Sequence, residues 1–339
     1  MTKKTRYFLA GSAAVLAAGL GTGLIAYYTG GFETLSASPV ENELRYVPAD
    51  ATLVAYADVR QIMDSDLRAR LKEAMPMHEE GQREFQEHTG IDVERDIDFV
   101  VASLSSISGH NPAPLVVARG RFNDTQLESL AREHGGAVAD YKGKRIVVCS
   151  TNEHGGPVPT QSGSVTLAFL EPGLIAIGDT NAVKTSIDAQ LTSHSITSNN
   201  EMMELVGEIG SYNNAWAVGR FDVLASQAHL PEQVASRLPP IKWFAAAGHV
   251  NGGLSGSLRA EARDDQAAEN LRDVVRGFLA LARMQSGSDP RIQGLVDSLQ
   301  LTGSGKTVAL AFTVPAEVLQ MIPKAHQQLE HQASQPEQK

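Results

Sequence analysis

The sequence predicts an α+β fold, a mainly antiparallel sheet with interspersed helices, carried behind one N-terminal transmembrane helix. Three observations lead there. Apolar runs come in adjacent pairs joined by short turns, as in "SVTLAFLEPGLIAIG" (Ser164 to Gly178), where Glu171-Pro172-Gly173 has turn composition. A unit of strand, acidic turn and helix recurs along the chain. The opening contains an uncharged stretch long enough to cross a bilayer.

That stretch runs from Tyr7 to Tyr28 in "MTKKTRYFLAGSAAVLAAGLGTGLIAYYTGG". Tyr7 and Tyr27-Tyr28 stand at its ends, where amphipathic rings settle at membrane interfaces. Lys3, Lys4 and Arg6 precede it and Glu33 is the first charge after it, so residues 1–6 are expected in the cytoplasm and the rest outside. A cleaved signal peptide would have a shorter apolar core with a small-x-small site close behind. The nearest such site, Ser36-Ala37-Ser38, is distant, so an uncleaved anchor over 7–28 is expected. Residues 29–44 read as a polar tether.

The body opens with a turn at Pro48-Ala49-Asp50 and a strand over Thr52 to Ala57. Asp64-Ser65-Asp66 is placed to cap a helix from Leu67 to Met75. "PLVVARGRFNDTQLESLAREHGG" (Pro114 to Gly136) is the clearest copy of the unit, with Asn123 or Asp124 as cap and Gly135-Gly136 as stop. Gly173 to Leu191 repeats it with Asp179 at the cap, and "NAWAVGRFDVLASQ" (Asn214 to Gln227) echoes "LVAYADVRQIMDS". Leu254 to Met284 repeats the Pro114 unit with a longer helix, whose Ala267, Leu271, Val274, Val275, Phe278 and Leu281 form one stripe. The last copy is the strand Thr307 to Val314, with a helix expected to start at Pro315. The recurrence predicts two related halves, 45–194 and 195–324, and then a disordered polar tail over 325–339.

Composition narrows the functions. With 39 acidic and 29 basic residues, a net charge of −10, the chain has no overall attraction for nucleic acid. The single cysteine, Cys149 in "KRIVVCS", reads as a small buried apolar residue. "GSGKT" (Gly303 to Thr307) lacks the first glycine of a phosphate loop and precedes a strand, so it reads as a hairpin turn. Asp64-x-Asp66 and Asp96-x-Asp98 sit where acidic residues cap or flank elements. The ten histidines form no metal-binding spacing, although Glu133-His134-Gly135-Gly136 and Glu153-His154-Gly155-Gly156 repeat four letters. No G-x-S-x-G or S-x-x-K occurs. No catalytic, cofactor-binding or metal residue is therefore assigned, and no cofactor is expected.

The residues expected to meet a ligand or partner are Leu271, Val275 and Phe278 on the long helix and Trp243, which follows the rigid Pro239-Pro240 pair. At "YVPADATLVAYADV" (Tyr46 to Val59) the chain resembles a group of bacterial membrane-anchored envelope proteins, whose ectodomains open with this proline-alanine-aspartate turn, strand and aspartate. The resemblance implies an inner-membrane anchor and a periplasmic body and carries no reaction with it. The expectation is a non-catalytic binding or scaffolding protein with an envelope protein partner or a lipid-like ligand. The alternative is a metal-assisted extracytoplasmic hydrolase using the scattered His and Asp residues.

Overall fold

The computed structural model describes residues 41–74, 83, 86–87, 89–105, 113–133, 135–150, 164–209, 212–227, 239–285 and 290–315. The expected anchor over 7–28, the N-terminal residues 1–6, the tether up to residue 40 and the tail over 325–339 lie outside them. Among the described residues no helix is long and apolar enough to cross a membrane.

The elements in order are α1 (Glu41–Leu44), β1 (Ala51–Asp58), α2 (Val59–Met63), α3 (Asp66–Ala74), α4 (Val93–Asp96), β2 (Ile97–Ser105), β3 (Ala113–Gly120), α5 (Asp124–Glu133), β4 (Ala137–Tyr141), β5 (Lys144–Ser150), β6 (Ser164–Glu171), β7 (Leu174–Asp179) and α6 (Thr180–Thr192). There follow a 3-10 turn (Ile196–Ser198), α7 (Asn200–Glu208), β8 (Ala215–Arg220), α8 (Phe221–Gln227), β9 (Ile241–Val250), β10 (Gly253–Ala262), α9 (Asp265–Gln285), α10 (Pro290–Ser298), β11 (Gln300–Thr302) and β12 (Thr307–Pro315).

The recurring acidic turns are helix caps. Asp58 accepts from the Gln61 amide at 2.8 Å, Asn123 from Gln126 at 3.1 Å, Asp179 from Asn181 at 2.9 Å and Asp264 from Ala267 at 2.8 Å. Each takes up an amide that the first turn of a helix leaves unpaired. At Asp64-Ser65-Asp66 the cap is the serine, whose Oγ accepts from Arg68 N at 3.2 Å, because Asp64 is occupied in closing α2. The helix expected to start at Pro315 would run on from residue 316, outside the described residues, and Pro315 itself is in a strand. It is the last residue of β12, paired with Gly253, where a strand end tolerates a residue without an N–H.

All strand pairs are antiparallel, and the twelve strands form one sheet in the order β11-β12-β10-β9-β8-β1-β2-β3-β7-β6-β5-β4. Outward from the centre the first run is 1-2-3-7-6-5-4 and the second is 8-9-10-12-11, so the second repeats the topology of the first without its last two strands. β1 and β8 meet at the centre, where Tyr56 stands opposite Trp216 and their rings stack at 5.7 Å. Alternation along the strands then divides the core. One face carries Val54, Tyr56, Trp216, Val218 and Trp243 under α6 and α7. The other carries the small residues Ala55, Ala57 and Ala217 at the centre, α5 over one end and α9 with α10 over the other. The β6–β7 turn needs Gly173: its φ is +72°, and a Cβ there would lie 2.7 Å from the Gly120 carbonyl oxygen.

Candidate functional site

Helix α9 changes character along its length. Its first turns dock on the sheet, with Ala267 and Ala268 buried against Ala262 and Val308 and with Leu271 and Leu301 packed alongside. Arg272 fastens this end, donating to the carbonyls of Gly305 at 2.6 Å and Thr307 at 2.9 Å and to Glu269 at 3.0 Å. Arg276 donates to Glu269 and to Asp273, both at 2.8 Å. Hydrogen bonds from Arg276 and Arg272 hold the Glu269 carboxyl below the usual range.

The rest of α9 is apolar on its outer side. Phe278 is 67% exposed, Leu281 52% and Met284 80%, with Val274 also open to solvent. At 3.6 residues per turn Val274, Phe278 and Leu281 fall in one sector, with Met284 at its margin. A soluble domain rarely leaves such side chains contiguous in water without a use for them.

The four residues expected to make contacts do not converge. Leu271 and Val275 are half-buried and Phe278 is exposed, all on α9. Trp243 is 3% exposed in the core on the opposite face of the sheet, and its Nε1 donates to Glu201 at 2.9 Å. Lys242, in direct contact with the same carboxylate, and then Trp243 hold the Glu201 carboxyl low.

Sequence reasoning missed a second polar site. Glu43 and Leu44, read as the end of the tether, are buried. Arg119 of β3 donates through Nε to Glu43 Oε1 at 2.6 Å and lies 3.6 Å from Glu171. Arg45 and the Tyr46 hydroxyl each donate to Glu171 at 2.8 Å. Burial raises the Glu171 carboxyl, but the Tyr46 hydrogen bond and the charges of Arg45, Arg119 and Lys144 outweigh it, so it titrates below its ordinary value. Burial first, then Glu171, pushes the Tyr46 phenol up. The cluster ties the start of the body to β3 and to the end of β6. The only legible signal was the polar run Glu43 to Tyr46 beside apolar strands; its partners are more than 70 residues away.

The remaining sequence candidates resolve as structure. Gly303 to Lys306 is a turn, with Thr307 N donating to Ser304 O at 3.1 Å and β12 following directly. Asp98 pairs with Arg60, and Asp96 accepts from the Asp92 amide. Cys149 is half-buried, and burial raises its thiol. His134 and His154 lie outside the described residues, among which no three His, Cys, Asp or Glu side chains are grouped to hold a metal.

No family model matches the chain, and no curated protein matches it. Among solved structures it is similar to one described as crystal form I of TP0453, at 12% identity and a TM-score of 0.46, over 86% of this chain and 99% of that one. A likeness at that score carries no argument about function.

Proposed function

We propose that the protein is a non-catalytic binding or scaffolding protein of the bacterial envelope, anchored in the inner membrane by residues 7–28, with its body in the periplasm. The observation that carries the binding role is the outward stripe of Val274, Phe278, Leu281 and Met284 on α9, beyond the turns that pack on the sheet. Its occupant is an apolar ligand such as a lipid or the apolar patch of an envelope protein. The anchor is supported by the uncharged run Tyr7 to Tyr28 and the basic residues before it.

Non-denaturing mass spectrometry of the protein extracted from its membrane tests the reading. A retained lipid-sized or protein-sized mass, lost in the variant Phe278→Ser/Leu281→Ser, is the expected result. A bare chain, or a retained mass indifferent to both substitutions, overturns the role given to α9. The intact mass of the same sample tests the anchor, since cleavage near residue 38 would remove it.

A further inference from the structure

The later turns of α9 and the entry of the N-terminal chain lie at the same end of the sheet. Arg119, which holds Glu43, stands opposite Phe99, and Phe99 stands opposite Asp58 at the end of β1. Beside it Ala57 faces Ala215 at the start of β8, and Ala215 faces Gly248 near the end of β9. The β9–β10 hairpin and Pro315, opposite Gly253, continue this row of strand ends. Helix α9 sets out from the other end, where Ala267 and Ala268 pack on Ala262 and Val308, and returns. Its Arg283 lies 3.9 Å from Asp297, the neighbour of Ser298, whose Oγ donates to the Thr313 carbonyl at 3.0 Å close to the end of β12. Phe278, Leu281 and Met284 therefore stand exposed at the end where Glu43 enters the body. Tyr212 joins them there, 62% exposed and stacked at 4.1 Å on His249 beside Val250.

We propose that this end of the body rests on the bilayer that holds the anchor, with Phe278, Leu281 and Met284 sunk into the boundary between headgroups and acyl chains and Tyr212 at the headgroups. The docking rests on the anchor over 7–28 and on the apolar role given to α9 above. Reach argues for the bilayer as the occupant. Residues 29–40 join the anchor to Glu41 and span at most about 40 Å. Across the sheet β3, which holds Glu43 through Arg119, and β10, which leads into α9, are five strand spacings apart, about 24 Å. The stripe is thus within range of a surface to which the tether already confines the body, and the second contact becomes an intramolecular one. An amphipathic helix on a bilayer lies with its apolar face about 5–10 Å into that boundary, a depth that suits Phe and Leu, while tyrosine rings settle at the headgroups. Val274, Phe278, Leu281 and Met284 are all uncharged, so the stripe draws no charge into the apolar layer.

The test uses the full chain reconstituted in vesicles of phosphatidylethanolamine and phosphatidylglycerol, with and without bromine on the acyl chains, since bromine quenches tryptophan on contact. Trp216 and Trp243 are 4% and 3% exposed in the core and should be quenched little. Phe278→Trp should add a blue-shifted emission that is lost in the brominated vesicles. Ser304→Trp, at an exposed turn position at the other end of the sheet, should add one that is kept. Quenching of both variants, or of neither, overturns the proposal. Quenching of Phe278→Trp that persists after transfer to non-ionic detergent overturns it too, and assigns a single carried lipid to the stripe. Protein that fails to float with the vesicles at alkaline pH overturns the anchor and the docking with it. Protein that floats with Phe278→Trp unquenched overturns the docking alone.

Discussion

Helices α5 and α9 follow equivalent strands in the two halves of the sheet and meet different fates. α5 spans ten residues and buries Leu127 over the β4–β5 hairpin. α9 spans 21 residues, and among the described residues no second hairpin lies under its later turns. The same periodic pattern is therefore core in one half and surface in the other. An apolar stripe reports only that a helix has a face to bury; what lies under that face is decided elsewhere in the chain. The halves also differ in how they are fastened. The first is tied to the start of the body by Glu43, Arg119, Arg45, Tyr46 and Glu171, while the polar bonds of α9 are arginine contacts to exposed carboxylates and turn carbonyls.

The largest effect is expected from Arg119→Leu, which leaves the 2%-exposed Glu43 side chain without its cation. Breaking a buried pair from one side costs about 3–5 kcal/mol. Urea unfolding should show it as a lowered midpoint, and an unchanged midpoint would mean that the cluster does not fasten the first half. Next comes Leu127→Ala in α5, expected to cost about 2–4 kcal/mol as a buried leucine truncation.

A smaller, pH-dependent loss should come from Glu171. Its carboxyl titrates lower folded than unfolded, so its contribution is complete above the ordinary carboxylate range, about pH 4.3, and is lost as pH falls through the lower folded value. Urea midpoints followed from neutral pH downward should therefore decline in that window, with a shallower decline in Glu171→Gln. The smallest effect is expected from Phe278→Ala in α9, within about 0.5 kcal/mol of the parent. A cost there approaching that of Leu127→Ala would show that the stripe is covered within the chain, and the contrast between the helices would fail.

Much of the fold was legible because its causes are local. Paired apolar runs announced hairpins, and Asn123 and Asp179 announced helix starts, since a cap acts on amides two or three residues away. The glycine-rich turn before β12 was readable for the same reason. The site was only partly legible. Leu271, Val275 and Phe278 were read as one stripe from their spacing, but spacing does not separate the docked turns of α9 from the outward ones, and of the three only Phe278 is exposed. Trp243 looked like a contact residue beside two prolines, and the register of β9 places it in the core. Glu43 looked like tether because its partner, Arg119, is supplied by a strand far along the chain.

By itself the sequence determined many of the elements: the paired strands around Glu171-Pro172-Gly173, the helices that start after Asn123 and Asp179, the turn before β12, and that the body is acidic. Those follow from side-chain period, turn chemistry and charge, which act over a few residues. Tertiary structure decided that both halves share one sheet, that β11 is the outermost strand of the second among the described residues, and that α9 is half core and half surface. The reason is that burial depends on strand order, and strand order is set by contacts between residues far apart in the chain.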